Sequence, residues 1–272
     1  MSDMPTHYGF NKQPNFIEIP ENQPLVVDLF SGLRGFGRGF VDEGCRVVGV
    51  ELNGSVDEIA AVEYIESHVM SVFDIDEEWC MKLVARLGPV KFLVASPPCT
   101  SFSIASCGHH WHKPDPITDS REPKTNQARQ ALELVKHTLK VIEWLNPEYF
   151  WIENPRGLLR KMGLMEHLQM TTITYCRYGE DRMKPTDLWG RWPESWKPRA
   201  MCRNGGWGQV EIDGVEWCVD EDGDPCHVVA RRGMATGTQG IKGNALRSVV
   251  AHELSLEIAR ACLNPGLEDD WL

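Results

Sequence analysis

The segment SPPCTSFS, residues 96–103, sets Cys99 directly behind two prolines. Each proline locks its own φ, so the pair stiffens the backbone ahead of the thiol and fixes where the sulfur points. A cysteine either packs as a small apolar group or, as thiolate, attacks an electrophile, which requires its free pKa of about 8.5 to fall. WIENPRG, 151–157, ends a second apolar run on Glu153 and Asn154. There an acid either caps local backbone or protonates and holds a ring nitrogen of a substrate. DLFSGLRGFGRGFVDEG, from Asp28, carries Gly32, Gly35, Gly37 and Gly39 between an apolar run and a helical pattern. Glycines let a ligand approach the backbone and a helix start offers free amides, so the turn suits a nucleotide-type cofactor, or is only a tight turn. Glu51, closing RVVGVEL, either accepts hydrogen bonds from ribose hydroxyls or faces solvent, and Asp74 in SVFDID is a third acid of this kind.

The elements that must position these groups are legible as short apolar runs. LVVDLF (25–30), RVVGVEL (46–52), KFLVAS (91–96) and YFWIEN (149–154) read as strands. NQARQALELVKHTLKVIEWL (126–145) puts Ala131, Leu134, Val135, Thr138, Leu139, Ile142 and Leu145 on one helical stripe, stopped by Asn146 and Pro147. Strands alternating with helices imply an α/β fold with a mostly parallel sheet, in which Asp28, Glu51, Cys99 and Glu153 share the carboxyl edge. NALRSVVAHELSLEIARACL, from Asn244, returns to helical spacing and should dock as a closing helix.

In this order, and each at a strand end, these segments resemble the cytosine-C5 DNA methyltransferases, in a compact form of phage or bacterial type. DLFSG is similar to the family's cofactor motif, VGVELN to its ribose-binding acid, SPPCTSFS to its nucleophile motif, IENPRG to its Glu-Asn motif and GNALRSVV to its closing motif. The resemblance implies a Rossmann-like S-adenosylmethionine-dependent methyltransferase fold and, as cofactor residues, Asp28, Phe30, Ser31, Gly32, Gly35, Glu51, Leu52, Asp74, Ser96, Pro97 and Asn244. It implies that Cys99 adds to cytosine C6 while Glu153 holds N3, that Pro98 and Asn154 shape the pocket, and that the base is flipped out of double-stranded DNA. YGEDRMKPTDLWG resembles the motif that supports the flipped base, with Arg182 and Lys184 where glutamine and arginine are usual; a surface basic pair is the other reading. Arg34 replaces a usual glycine and Pro155 a usual valine, both expected to be tolerated.

Residues 1–22 read as a polar arm, 23–190 with 243–272 as the catalytic domain, and 191–242 as a small irregular target-recognition region. In that region QVEI, Asp213-Gly214 and VEWCV suggest a hairpin. Trp192, Trp196 and Trp207 read as its small core, and Cys202, Cys218, Cys226 and His227, with Cys176 as a substitute, offer ligands of zinc type. Their spacing is not that of a tight knuckle, and the reading without zinc is preferred. Ser103, Arg231, Arg232, Thr238, Gln239 and Lys242 are the expected DNA contacts. The loop 103–124, with His109, His110 and His112, reads as a lid rather than a metal site.

Over the 272 residues, 42% hydrophobic and 25% charged residues exclude disordered and fibrous classes, and no apolar run reaches the roughly 18 residues of a membrane span. A net charge of -11 argues against a protein that coats nucleic acid nonspecifically, although the seven acids of 209–224 supply much of it and leave room for a basic cleft elsewhere. Nine cysteines without an export signal fit reduced thiols. The expectation is a cytoplasmic, monomeric enzyme of a bacterium or phage-infected cell. Its rivals are a C5-modifying enzyme acting on a free cytosine nucleotide or with a modified cofactor, and a catalytically silent DNA-binding relative.

Overall fold

The computed structural model describes residues 20–58, 60, 62–116, 120–180, 182–202, 207–229, 246 and 248–265. The predicted strands form as β1 (Leu25–Leu29), β2 (Arg46–Glu51), β4 (Val90–Ala95) and β5 (Tyr149–Pro155), joined by β3 (Glu66–Val69), β6 (Gln169–Thr174) and β7 (Pro185–Arg191). They make one sheet in the order β3-β2-β1-β4-β5-β7-β6. Neighbours from β3 to β5 are parallel, whereas β7 runs antiparallel to both β5 and β6.

Strand alternation divides the core into two layers. Leu25, Val27 and Leu29 of β1 and Leu93 and Ala95 of β4 pack with Leu83 of α3 (Glu77–Leu87) and Val135 and Ile142 of α5 (Asn126–Leu145). Val26, Phe92 and Val94 point the other way, onto Phe36 and Phe40 of α1 (Gly35–Asp42) and Leu254 and Ile258 of α6 (His252–Leu263). Because both faces are covered, the central strands read as unbroken apolar runs. The closing helix docks as expected, close against α1. A Cβ on Gly39 would lie 2.3 Å from the Leu256 nitrogen, and the Gly39 amide donates to Ser255 Oγ at 2.9 Å. Helix α5 keeps its predicted bounds, with Thr125 Oγ1 accepting from the Ala128 amide and Asn146 left-handed at φ 43°.

A separate three-stranded antiparallel sheet contains β8 (Gln209–Ile212), β9 (Val215–Val219) and β10 (Pro225–Val228). The expected hairpin joins β8 to β9 through Asp213 (φ 51°) and Gly214 (φ 75°), the double left-handed turn that matches strand twist. One expectation for this region is corrected. Trp192 and Trp196 are not its core; Trp192 stacks on Trp151 of β5 and Trp196 meets that ring edge-on, with ring centroids 6.5 and 6.1 Å away, because the end of β7 delivers them to the large sheet. Trp207 lies instead under the Arg177 guanidinium, 5.8 Å from its ring centre. No described helix is long and apolar enough to cross a membrane.

Candidate active site

The strand order reverses between β1 and β4, and ligands of open α/β sheets bind at such a switch point, outside the carboxyl ends of the strands. A cleft of about 350 Å³ lies there, lined by six of the expected cofactor residues: Asp28, Phe30, Ser31, Gly32, Gly35 and Ser96. Its far wall is Ser248, Val249 and Val250, just before α6. The backbone between β1 and α1 turns through three left-handed residues, Phe30 (φ 62°), Gly32 (φ 48°) and Arg34 (φ 60°). Arg34 therefore occupies a position suited to glycine. Its guanidinium compensates by lying 4.6 Å from the Tyr64 ring centre, donating to Ser67 Oγ at 2.7 Å and to the Val62 carbonyl.

Asp28 is 1% exposed. Its Oδ2 accepts from the Gly37 amide at 3.1 Å and from the Tyr64 hydroxyl at 2.5 Å, so it fastens the start of α1 to β1 as well as lining the cleft. Desolvation outweighs these bonds and pushes its pKa up to about 7. The unfolded carboxyl titrates near 3.8, so its contribution to stability is complete below that pH and is lost as pH rises through about 7. Urea denaturation should show the Asp28→Asn protein gaining about 2–3 kcal/mol on the parent between pH 5 and pH 8.5. A pH-independent gap would show that Asp28 is ionised throughout.

Glu51 sits at the expected strand end but serves the loop directly, with Oε2 accepting from the Gly32 amide and Oε1 from the Asn53 amide, both at 2.9 Å. Like Glu51, three further expected cofactor residues do not line the cleft. Leu52 is 71% exposed. The Asp74 carboxylate is engaged in a capping box with Ser71, accepting its amide at 3.1 Å, because it ends a 3₁₀ turn. Pro97 is buried, and its carbonyl faces β5. Asn244 lies outside the described residues.

Cys99 is half-buried in the loop leaving β4, and Pro98 beside it is exposed. Because β4 and β5 pair in parallel, Ala95 opposite Ile152, the next residues of both strands emerge together. Asn154 is fully buried and its Nδ2 donates to the Pro97 carbonyl at 2.8 Å, tying the Cys99 loop to the end of β5. A second tie is steric: a Cβ on Gly157 would fall 2.5 Å from the Phe102 carbonyl, which accepts from the Leu158 amide at 2.8 Å. The carboxyl of Glu153, 4% exposed, points away from bulk water. Its Oε1 accepts from the Tyr175 hydroxyl at 3.0 Å and lies 3.7 Å from Lys184 Nζ, which itself sits 4.3 Å from the Tyr175 ring centre. Burial, reinforced by Glu153, holds the Tyr175 phenol well above its usual range, so it remains a donor.

Arg182 and Lys184 are therefore not a surface pair. Arg182 is buried and donates through Nε to Glu180 Oε2 at 3.0 Å, while Lys184 is the cation beside Glu153. Tyr64 and Tyr175 were not foreseen, since isolated tyrosines 36 and 22 residues from their partners carry no local pattern.

The loop after Cys99 is anchored at its base by Trp111, whose Nε1 donates to the Ser101 carbonyl at 2.7 Å, and by His110, bonded to Thr125 Oγ1 at 2.9 Å. Ser103 opens this loop, its amide donating to the Cys99 carbonyl at 3.0 Å. Arg231, Arg232, Thr238, Gln239 and Lys242 lie outside the described residues. Of the expected zinc ligands, Cys202, Cys226 and His227 converge, but the fourth member of the group is Cys176 and not Cys218. Cys218 contributes its carbonyl to this group, accepting from the Cys226 thiol at 3.4 Å.

Residues 25–172 match the family model for C-5 cytosine-specific DNA methylase. The chain is 24% identical over 246 residues, 87% of its own length and 99% of the relative's, to a protein of Frog virus 3 (isolate Goorha) named "Probable DNA (cytosine-5)-methyltransferase". Among solved structures it is similar to the S. pombe Dnmt2 methyltransferase, at 15% identity and a TM-score of 0.42, and to the Entamoeba histolytica methyltransferase EhMeth, at 12% and 0.45. In both cases 70% of this chain is covered, and it spans 61% of the length of the solved one.

Proposed function

The chain belongs to the C-5 cytosine-specific DNA methylases, and from that premise we propose that Cys99 is its nucleophile and Glu153 its acid in the methylation of a flipped cytosine in double-stranded DNA. The cleft between β1 and β4 suits S-adenosylmethionine. Ser31, Gly32 and Ser96 leave room beside the backbone, and the Glu51 carboxylate that holds Gly32 lies where ribose hydroxyls are commonly received. When bound, that group supplies a methyl on a sulfonium, ready for attack by a carbon nucleophile.

Cytosine C5 is too weak a nucleophile by itself. The Cys99 thiolate forms a bond to C6, and the displaced electron pair is received at N3, where Glu153 delivers its proton. C5 is then enamine-like and takes the methyl group. Loss of the C5 proton to a base breaks the C6–S bond and expels the Cys99 thiolate, and return of the N3 proton to Glu153 restores both the aromatic ring and the acid. Tyr175 and Lys184 hold the Glu153 carboxyl in place. The observation that carries this reading is the Asn154–Pro97 bond, which fastens the Cys99 loop to the strand end that presents Glu153. A base in a stacked duplex cannot reach that pocket, so flipping is required, at a cost of a few kcal/mol.

Incubation with S-adenosylmethionine and mixed-sequence duplex DNA, followed by nucleoside mass analysis, should yield 5-methylcytosine. Glu153→Gln should lower the rate by about 10²–10⁴-fold, the usual size of a general-acid contribution. An unchanged rate in that variant would remove Glu153 from the chemistry.

A further inference from the structure

We propose that Cys176, Cys202, Cys226 and His227 form a structural zinc site that fastens the small β8–β9–β10 sheet to the methyltransferase body. The four ligand atoms all lie within 4.8 Å of one another. Cys202 Sγ is 4.0 Å from Cys226 Sγ and 3.7 Å from His227 Nδ1, and Cys226 Sγ is 3.3 Å from that nitrogen. Around a tetrahedral zinc with bonds of about 2.3 Å to sulfur and about 2.0 Å to nitrogen, ligand atoms stand roughly 3.5–3.8 Å apart. The measured separations bracket that value and are far from the ~2 Å of a disulfide. All three thiols are free, Cys176, Cys202 and His227 are buried, and Cys226 is partly exposed.

The backbone is shaped for this convergence. Cys176 lies in the 3₁₀ turn Tyr175–Tyr178 after β6, and Cys202 follows β7, its amide donating to Thr174 Oγ1 at 2.9 Å. Cys226 and His227 are consecutive in β10, where side chains ordinarily point to opposite faces. The β9–β10 register shifts between Pro225 and His227, and such an irregularity lets adjacent side chains reach one centre. Cys218 pairs directly with His227 in that register, yet its sulfur is not in the group.

The small sheet needs such a fastening. Among the described residues 207–229, only Cys218, Val219 and His227 are buried, while Val210, Ile212 and Val215 are 37–42% exposed. A three-stranded sheet with so little core is not stable by hydrophobic burial alone, and a zinc bridging two parts of the chain is one of the few substitutes. Its ligands come from both bodies, with Cys176 beside Tyr175, the Glu153 partner, and Cys226 and His227 from the small sheet.

The test is the metal content of the full-length protein, supplied with zinc under reducing conditions and freed of excess metal. About one zinc per chain is expected, with cobalt replacement producing thiolate-to-cobalt charge-transfer absorption. Cys176→Ser and Cys226→Ser should lose that signal, and Cys218→Ser should keep it. Should the serine variants fail to fold, chelator titration of the wild-type protein decides the matter: zinc removal should lower its melting midpoint by about 5 °C or more. Less than a tenth of a zinc per chain, a cobalt signal lost in Cys218→Ser but kept in Cys176→Ser, or a Cys202–Cys226 disulfide under these conditions would overturn the site.

Discussion

Cys99→Ser is expected to reduce methyl transfer to duplex DNA by at least about 10³-fold while leaving S-adenosylmethionine affinity within about twofold. The two effects separate because the thiol and the cleft are held by different devices. The cleft depends on Glu51 holding Gly32, Asp28 holding Gly37, and the wall formed by Val249 and Val250. The Cys99 loop depends on Asn154 and on the Phe102–Leu158 contact. A serine hydroxyl fits where the thiol was but is far less ionised at neutral pH, and loss of a nucleophile in other enzymes commonly costs many orders of magnitude. Turnover by filter binding of labelled methyl groups and affinity by calorimetry measure the two quantities. Residual turnover above about a tenth of the parent rate would exclude Cys99 as the attacking group.

Arg160→Ala is expected to cost about 3–5 kcal/mol of folding stability, although Arg160 does not line the cleft. Asp187, in the middle of β7, is completely buried, and its carboxylate receives Arg160 Nε at 2.9 Å, Arg160 Nη2, and the Thr172 hydroxyl at 2.8 Å. Removing the guanidinium leaves a buried carboxylate with Thr172 as its remaining donor in this group. Asp187 lies opposite Asn154 across the β5–β7 ladder, so the pair stiffens the strand end that carries Glu153. Replacing both partners together, as Arg160→Met with Asp187→Leu, should recover most of the loss, since no uncompensated charge remains. Urea denaturation at neutral pH distinguishes the cases; a single-variant cost below about 1 kcal/mol would mean that water reaches Asp187.

The two antiparallel-paired strands at the β5 end of the sheet, β6 and β7, show why part of the fold was illegible. β1, β2, β4 and β5 are covered on both faces and announce themselves as apolar runs. β6 reads QMTTIT with its first residues exposed, and β7 opens on Pro185 and carries Gly190, so neither shows the apolar or alternating pattern of a strand. Gly190 is required there by packing alone, since a Cβ would fall 1.9 Å from the Phe150 carbonyl. The antiparallel insertion of β7 follows from pairing that no local pattern encodes.

The site shows the same division. Asp28, Glu51, Cys99 and Glu153 could be placed because each ends a readable strand, and strand ends of an α/β sheet share an edge. Asp74 and Leu52 also follow strand ends, yet the first is engaged in a cap and the second faces outward, so the same rule does not bring them to the wall of the cleft. The partners that hold the acids, Tyr64 and Tyr175, arrive from distant turns. The choice of Cys176 over Cys218 rested on a register shift in β10 that spacing does not reveal.

The most direct measurement of the central claim uses duplex DNA in which cytosine carries fluorine at C5, with S-adenosylmethionine, followed by proteolysis and peptide mass mapping. Fluorine cannot leave as the C5 proton does, so methyl transfer strands the enzyme on its substrate. The account predicts a stable protein–DNA adduct whose only modified peptide contains Cys99. An adduct on another cysteine, or continued formation of 5-methylcytosine in unmodified DNA with no adduct in the fluorinated duplex, would contradict it.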